Sequence, residues 1–275
     1  MNLFETTVQT AKRGLGLTSR SPFVELVRPA YDVFLGAIYA GRGLKRRIHG
    51  EPPIRVEPRY RWILEDYEPA VFTALKSRIH SGSVVFDIGA NVGVFSLLMA
   101  RWVGSVGRVY AFEPAPESLW ALRRHVMLNQ LTEKIEVVGQ AVSDVTGEAM
   151  FFAHTFNEEN SLSRRFLNRV PAAQAIRVPV TTVDHFCGQR DIIPTLLKID
   201  IEGFELHALR GAKQTLARHR PAVVVELHPM NWPEIGESPE TADALLADLG
   251  YRAMPLEGQQ DPLAEYGHVC LEPLA

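Results

Sequence analysis

The sequence predicts an α/β protein built on a doubly wound, mostly parallel sheet, and three observations carry that expectation. From about Tyr67 onward, short runs of β-branched and aromatic residues alternate with helix-length segments, the signature of parallel strands joined by crossover helices. A glycine-containing turn, Asp87-Ile88-Gly89-Ala90-Asn91-Val92-Gly93, sits where the first buried run hands over to a helix. Twenty residues past Gly93 the next run ends in Phe112-Glu113-Pro114, so an acid stands at the carboxyl edge of the neighbouring strand.

Taken in chain order, Pro22 to Ala40 carries apolar residues at Phe23, Leu26, Val27, Ala30, Val33, Phe34, Ala37 and Ile38, the spacing of an amphipathic helix. Gly41 and Gly43 end it, and Lys45, Arg46 and Arg47 suit its C-terminus. Strands are expected at Val84–Ile88, Val109–Phe112, Ile135–Val138, Leu196–Ile201 and Ala222–Leu227, with a last one in the tail HVCLEPL. Helices are expected at Val94–Val103, Pro116–Leu128 with Pro at its start, about Phe204–Ala217, and Glu240–Leu249. Residues 147–190 read as the least regular part, where insertions and lids tend to lie.

Charge divides the chain. Through Arg61 there are 11 Lys/Arg against 5 Asp/Glu, whereas residues 62–275 hold 18 against 27. We therefore expect an N-terminal helical and basic extension over 1–61, covering the site or mediating a homodimer, and one catalytic domain over 62–275. An alternative for residues 22–47 is weak peripheral contact with an anionic membrane through the apolar face and basic tail. The net charge of −3 gives no bulk attraction for nucleic acid. No window reaches the roughly 18 to 20 apolar residues of a membrane span, and no apolar h-region follows Glu5, Lys12 and Arg13. Cys187 and Cys270 are far apart and in no Cys-x-x-Cys pair, which fits a reducing cytoplasm.

The glycine turn lets a ligand approach main-chain N–H groups that a Cβ would shield. A dinucleotide site would want G-x-G-x-x-G, but the third and sixth positions from Gly89 are Asn91 and Val94. That is a poor pyrophosphate cradle, and suits a nucleoside with an amino-acid tail better. Glu113 is placed to accept hydrogen bonds from both ribose hydroxyls. Gly139-Gln140-Ala141-Val142-Ser143-Asp144 lies where an adenine edge would reach.

The segments VVFDIGANVGVFS, VYAFEP and QAVSD, the triplet Asn160-Ser161-Leu162, and above all LLKIDIEGFELHALRGA followed by VVVELHP resemble the FkbM family of S-adenosylmethionine-dependent methyltransferases. The resemblance runs from about Tyr67 to Pro229. It implies the class I methyltransferase (Rossmann-like) fold, a seven-stranded sheet, and O-methylation of a sugar, glycan or natural-product hydroxyl. By position it implies that Asp87, Gly89, Ala90, Asn91 and Gly93 surround the methionine part of S-adenosyl-L-methionine. Glu113 and Pro114 would then hold the ribose, and Gln140 and Ala141 the adenine.

Methyl transfer from a sulfonium is an in-line displacement, so the acceptor oxygen must be positioned and deprotonated. Ligands bind at the carboxyl ends of the strands, which makes Lys198, Asp200, Glu202, Glu226 and His228 the candidates. Residues two apart on a strand share a face, pairing Lys198 with Asp200 and Glu226 with His228. Lys198 and Glu226 also read as an ion pair tying the strands together. Glu202 suits a helix start in any case. His228 has the ordinary pKa best matched to proton abstraction, and Asp200 needs a raised one. Our catalytic set is His228, Asp200, Glu202 and Lys198. The Asp, Glu and His residues could also hold a divalent ion that acidifies the acceptor hydroxyl, but no helical His-Glu spacing supports this, so no metal is expected.

Three rivals follow. A nicotinamide-dependent oxidoreductase is disfavoured by Asn91 and Val94. A nucleic-acid amino-methyltransferase would carry an Asn/Asp-Pro-Pro-aromatic block where this chain has Asp200-Ile201-Glu202-Gly203. A non-catalytic S-adenosylmethionine-binding module would not keep Asp200, Glu202 and His228.

Overall fold

The computed structural model describes residues 31, 33–39, 41–153 and 174–274. Residues 33–39 are helical, but of the expected apolar stripe Val33, Phe34 and Ile38 are exposed, and the buried side chain is Leu35. The remainder of the helix expected from Pro22, like the triplet Asn160-Ser161-Leu162, lies outside the described residues.

A short antiparallel hairpin follows, β1 (Leu44–Arg46) with β2 (Ile54–Val56). Leu44, Ile54 and Val56 are buried in the same core as the helices under the main sheet. Polar contacts reinforce this docking. Asn129 bonds both main-chain groups of Arg55, at 2.9 and 2.7 Å, and the Glu57 N–H donates to His125 Nε2 at 2.8 Å. With Nε2 accepting and Nδ1 meeting the Val92 carbonyl at 2.7 Å, the buried His125 is neutral, and burial, against the raising effect of the Val92 bond, pushes its pKa down to about 4.

The main body alternates as expected: α1 (Pro69–Arg78), β3 (Val84–Ile88), α2 (Val94–Trp102), β4 (Arg108–Phe112), α3 (Pro116–Leu128) and β5 (Ile135–Val138). Then come β6 (Ala141–Val142), β7 (Gly147–Ala153), β8 (Gln174–Thr181) and α4 (Val183–Arg190). The second half holds β9 (Leu196–Ile199), α5 (Glu205–Arg210), α6 (Lys213–His219), β10 (Ala222–Leu227), α7 (Pro239–Leu249), β11 (Tyr251–Pro255) and β12 (Gly267–Pro273). Local chemistry fixes the ends. Pro116 opens α3, and Ser238 and Thr241 form a reciprocal capping box on α7, which Gly250 stops in a left-handed conformation.

Seven strands form one sheet in the order β11-β12-β10-β9-β3-β4-β5. It is parallel except for β12, which runs antiparallel between β10 and β11. Alternation along the strands divides its residues between two cores. Phe86, Ile88, Leu197, Ile199, Val223 and Val225 pack on one face, and Val85, Leu196 and Val224 on the other. Period two then places Asp87, Lys198, Glu226 and His268 on that second face, towards the carboxyl ends of the parallel strands. Register confirms the juxtaposition, since Asp87 stands opposite Lys198 and Glu226 opposite His268.

Three expectations need correction. Residues 147–190 are not irregular where described: β7 and β8 pair antiparallel along their length, and β6 joins β8 in parallel. Twenty residues separate β7 from β8, from 154 to 173, so no tight-turn signal marks the pair. The helix expected over 204–217 is two helices, because a Cβ on Gly211 would run into the Ser143 carbonyl and the break packs there. The unpredicted β11 carries an arginine and a proline, the composition of the edge strand that it is.

Candidate active site

Glu113 immediately follows β4 and is buried, only 5% exposed. Oε2 accepts the Asn91 N–H and Oε1 the Ala115 N–H, both at 2.8 Å. Burial pushes its pKa up to about 7, against the lowering effect of those two bonds. Each oxygen has satisfied one acceptor direction and keeps another for a ligand.

The glycine turn works differently from the sequence expectation. The N–H groups of Gly89 and Ala90 both donate to the Phe112 carbonyl, at 3.0 and 2.9 Å, and that of Gly93 donates to the Ala90 carbonyl. With Asn91 bound to Glu113, these amides brace β3 against β4 rather than forming an N–H cradle. Gly89, at φ +79°, is required by packing, since a Cβ there would overlap the Asp200 main-chain carbonyl. Asn91 also takes a left-handed conformation, and its Oδ1 accepts the Ser118 hydroxyl at 3.1 Å. Pro114 and Gln140 are half-buried, and Ala141 is buried in β6 opposite Val180.

Asp87 is buried, accepts the Ser96 hydroxyl, and lies 3.7 Å from the Lys198 ammonium. Lys198 also meets Asp200 Oδ2 at 3.3 Å, as the shared strand face predicts. Its ion-pair partners are thus Asp87 and Asp200 rather than Glu226, because Asp87 occupies the neighbouring register position. Burial opposes the charge on Lys198, but Asp200, Asp87, Glu68 and Glu226 outweigh it and hold its pKa above the ordinary value. It is a fixed cation. Burial raises the pKa of Asp200, and Lys198 offsets part of that.

His228 follows β10. Its Nδ1 meets Oε1 of the fully buried Glu205 at 2.9 Å, and its Nε2 faces Glu202 Oε2 at 3.3 Å and Glu226 Oε1 at 3.9 Å. Burial alone would discharge the ring, but Glu205, Glu202 and Asp200 outweigh it and push its pKa up to about 10. The free-solution argument that favoured His228 as a base therefore reverses: the imidazole is cationic at neutral pH. Glu205 is anchored in turn by the Gly203 N–H at 2.6 Å and Trp232 Nε1 at 3.2 Å. Glu202 itself sits at φ +54°, a strained position for a glutamate. Glu226 accepts the Tyr266 hydroxyl and lies 3.5 Å from His268 Nε2; burial would raise its pKa, but His268, His228 and Tyr266 pull it well below the carboxylate range.

Glu205, Glu68, Tyr266 and His268 went unnoticed in the sequence. Glu205 lies three residues after Glu202 within the most family-specific segment, a signal that was present. His268 becomes visible only once β12 is known to lie antiparallel beside β10, and Glu68 and Tyr266 come from connecting segments that carry no pattern.

A parallel α/β sheet with a single antiparallel strand inserted beside its edge, and an acid at the end of its second strand, defines a class I methyltransferase fold. The model of the FkbM methyltransferase domain matches residues 87–253, and this chain belongs to that family. It is 28% identical over 215 residues to 31-O-demethyl-FK506 methyltransferase FkbM of Streptomyces tacrolimicus, covering 67% of this chain and 77% of that one. It is 22% identical over 190 residues to hexuronic acid methyltransferase AglP of Haloferax volcanii, covering 68% and 72%. Among solved structures it is similar to methyltransferase FkbM of Methylobacillus flagellatus, with a TM-score of 0.44 and 22% identity, over 70% of this chain and 43% of that one.

Proposed function

We propose that this methyltransferase uses S-adenosyl-L-methionine to methylate a hydroxyl of a sugar, glycan or natural product. The observation that carries the reading is Glu113, a buried acid at the end of β4 whose two oxygens are held apart by main-chain N–H groups with acceptor capacity left on each. That geometry fits a ribose, whose adjacent hydroxyls need two acceptors side by side. Asp87, Ala90, Asn91 and Gly93 would surround the methionine part, and Pro114, Gln140 and Ala141 the base. The cofactor supplies an electrophilic methyl group on sulfur.

The chain's own residues have two tasks, to hold the acceptor oxygen in line and to take its proton. Asp200 adjoins the glycine turn through its main chain, its N–H bonded to the Ile88 carbonyl at 3.0 Å, and Glu202 stands two residues on. We assign proton removal to this pair of carboxylates. Lys198 orients Asp200, and His228, held as a cation, donates towards Glu202. The names of two relatives, a 31-O-demethyl and a hexuronic acid methyltransferase, support oxygen as the atom methylated. Buried, unpaired Cys187 and Cys270 are in keeping with a cytoplasmic setting.

Incubation with methyl-labelled S-adenosylmethionine and a panel of uronic acids, neutral sugars and polyketide alcohols tests this. A labelled methyl ether is the expected product. Labelled N- or C-methyl products, or saturable NAD binding in place of S-adenosylmethionine binding, would overturn the reading.

A further inference from the structure

The ends of β9 and β10 bring together more carboxylates than cations. Asp87, Asp200, Glu68 and Glu226 all act on Lys198, and Glu202 and Glu205 flank His228. Among the described residues, three buried atoms in this group make no hydrogen bond and meet charged neighbours only at longer range: Asp87 Oδ1 lies 3.7 Å from Lys198 Nζ, and His268 Nε2 lies 3.8 Å from Glu68 Oε2 and 3.5 Å from Glu226 Oε2. The carboxylates outnumber the cations they share, a charge balance that a bound cation would complete.

One oxygen each of Asp200 and Glu226 and one ring nitrogen of His228 lie within 4.8 Å of one another. Ligands about 2.0–2.2 Å from a common ion stand up to about 4.2 Å apart, so small side-chain rotations bring these three onto one centre. The histidine fills that role once the ion displaces the Nε2 proton that otherwise keeps the ring cationic, since a ligating imidazole is neutral. Glu205, fully buried and fixed by Gly203 and Trp232, holds Nδ1, which leaves Nε2 directed at the carboxylates. A carboxylate on the far nitrogen is how metal-ligating imidazoles are oriented.

We propose that Asp200, Glu226 and His228 bind a divalent first-row cation, with Mn²⁺ as its working probe. Two carboxylates with one imidazole suit an ion of intermediate hardness. Three protein ligands leave three octahedral positions, and the acceptor class this selects has two neighbouring oxygens, a vicinal diol or a hydroxy acid. A hydroxyl on the ion would be acidified, and of the carboxylate pair Asp200 would then serve as ligand while Glu202, which borders the same imidazole, takes the proton. Helical His-Glu spacing is absent because these donors come from the ends of two adjacent strands, β9 and β10. The purpose of the site rests on the methyl-transfer reading; its ligands do not.

The test is titration of the full-length, chelator-stripped protein with MnCl₂, followed by loss of the free-ion electron paramagnetic resonance signal. One ion per chain is expected, with affinity reduced at least tenfold in Glu226→Gln and His228→Gln and about 10–100-fold in Glu205→Gln. Should a variant fail to fold by circular dichroism, electron spin-echo modulation on the wild-type protein decides instead, because imidazole nitrogen must couple to the bound ion. Absence of saturable binding, unchanged affinity in all folded variants, or absence of nitrogen coupling overturns the site. S-adenosylmethionine calorimetry on the same stripped sample separates the two readings. Cofactor binding without Mn²⁺ binding removes the cation and keeps methyl transfer; Mn²⁺ binding without cofactor binding does the reverse.

Discussion

At the end of β4, Glu113 is a single acid whose two oxygens are taken up by main-chain N–H groups. Across β3, at the ends of β9 and β10, Asp200, Glu202, Glu205 and Glu226 instead share a lysine, a histidine and one another. Neutral dipoles fixed by the backbone hold the first acid in one geometry. Charged side chains hold the second group, so its geometry responds to any further charge bound there. The difference suits a constant ligand on one side and a variable acceptor on the other. It also means that substitutions in the two regions should register in different measurements.

The largest expected effect is on turnover. Asp200→Asn should lower the rate of methyl transfer roughly 100 to 10,000-fold while leaving cofactor affinity near wild type. Single-turnover kinetics beside calorimetry checks this, and a parallel loss of cofactor affinity would dissolve the division between the regions.

Gly89 lies at the boundary, with its Cα against the Asp200 carbonyl. The left-handed backbone and the steric overlap together put the cost of Gly89→Ala at about 2–5 kcal/mol of folding stability. Urea denaturation measures it. A variant as stable as wild type that loses only cofactor binding would return the glycine to the role the sequence alone suggested.

Glu113 sharpens the comparison through pH. A ribose donates to the ionised carboxylate, and burial has pushed that group's pKa up to about 7. Cofactor affinity should therefore be highest above pH 7 and fall, by up to about tenfold per pH unit, as the acid takes up its proton below it. In Glu113→Gln this part of the pH dependence should vanish. An unchanged profile in that variant would assign the titration elsewhere.

The smallest effect belongs to an ion pair outside both regions. Lys213 and Asp248 lie 2.6 Å apart, with both side chains more than half exposed. Asp248→Asn should change stability by no more than about 1 kcal/mol, and less at high salt.

The two regions also differ in how far the sequence reveals them. The strands β3, β4, β5, β9 and β10 announce themselves as apolar runs between helices, and Glu113 follows from its position at a strand end. Pairings set by distant segments do not. The opposition of His268 to Glu226 depends on an antiparallel strand forty residues on, and the clamp of Glu205 on His228 depends on where α5 begins. The pKa of His228 was misjudged for the same reason, because the acids that hold its proton come from another element. Main-chain hydrogen bonding was equally hidden, and the N–H groups of the glycine turn proved to be occupied by β4.

The most direct measurement is calorimetric titration of S-adenosylmethionine into the wild-type protein and Glu113→Ala at pH 8, with circular dichroism to show that both are folded. Loss of a hydrogen-bonded charged group contributes about 1.5–3 kcal/mol, so the variant should bind about 10–100-fold more weakly than a wild type that binds one cofactor per chain. Equal affinities for the two proteins, or no binding by the wild type, would contradict the account.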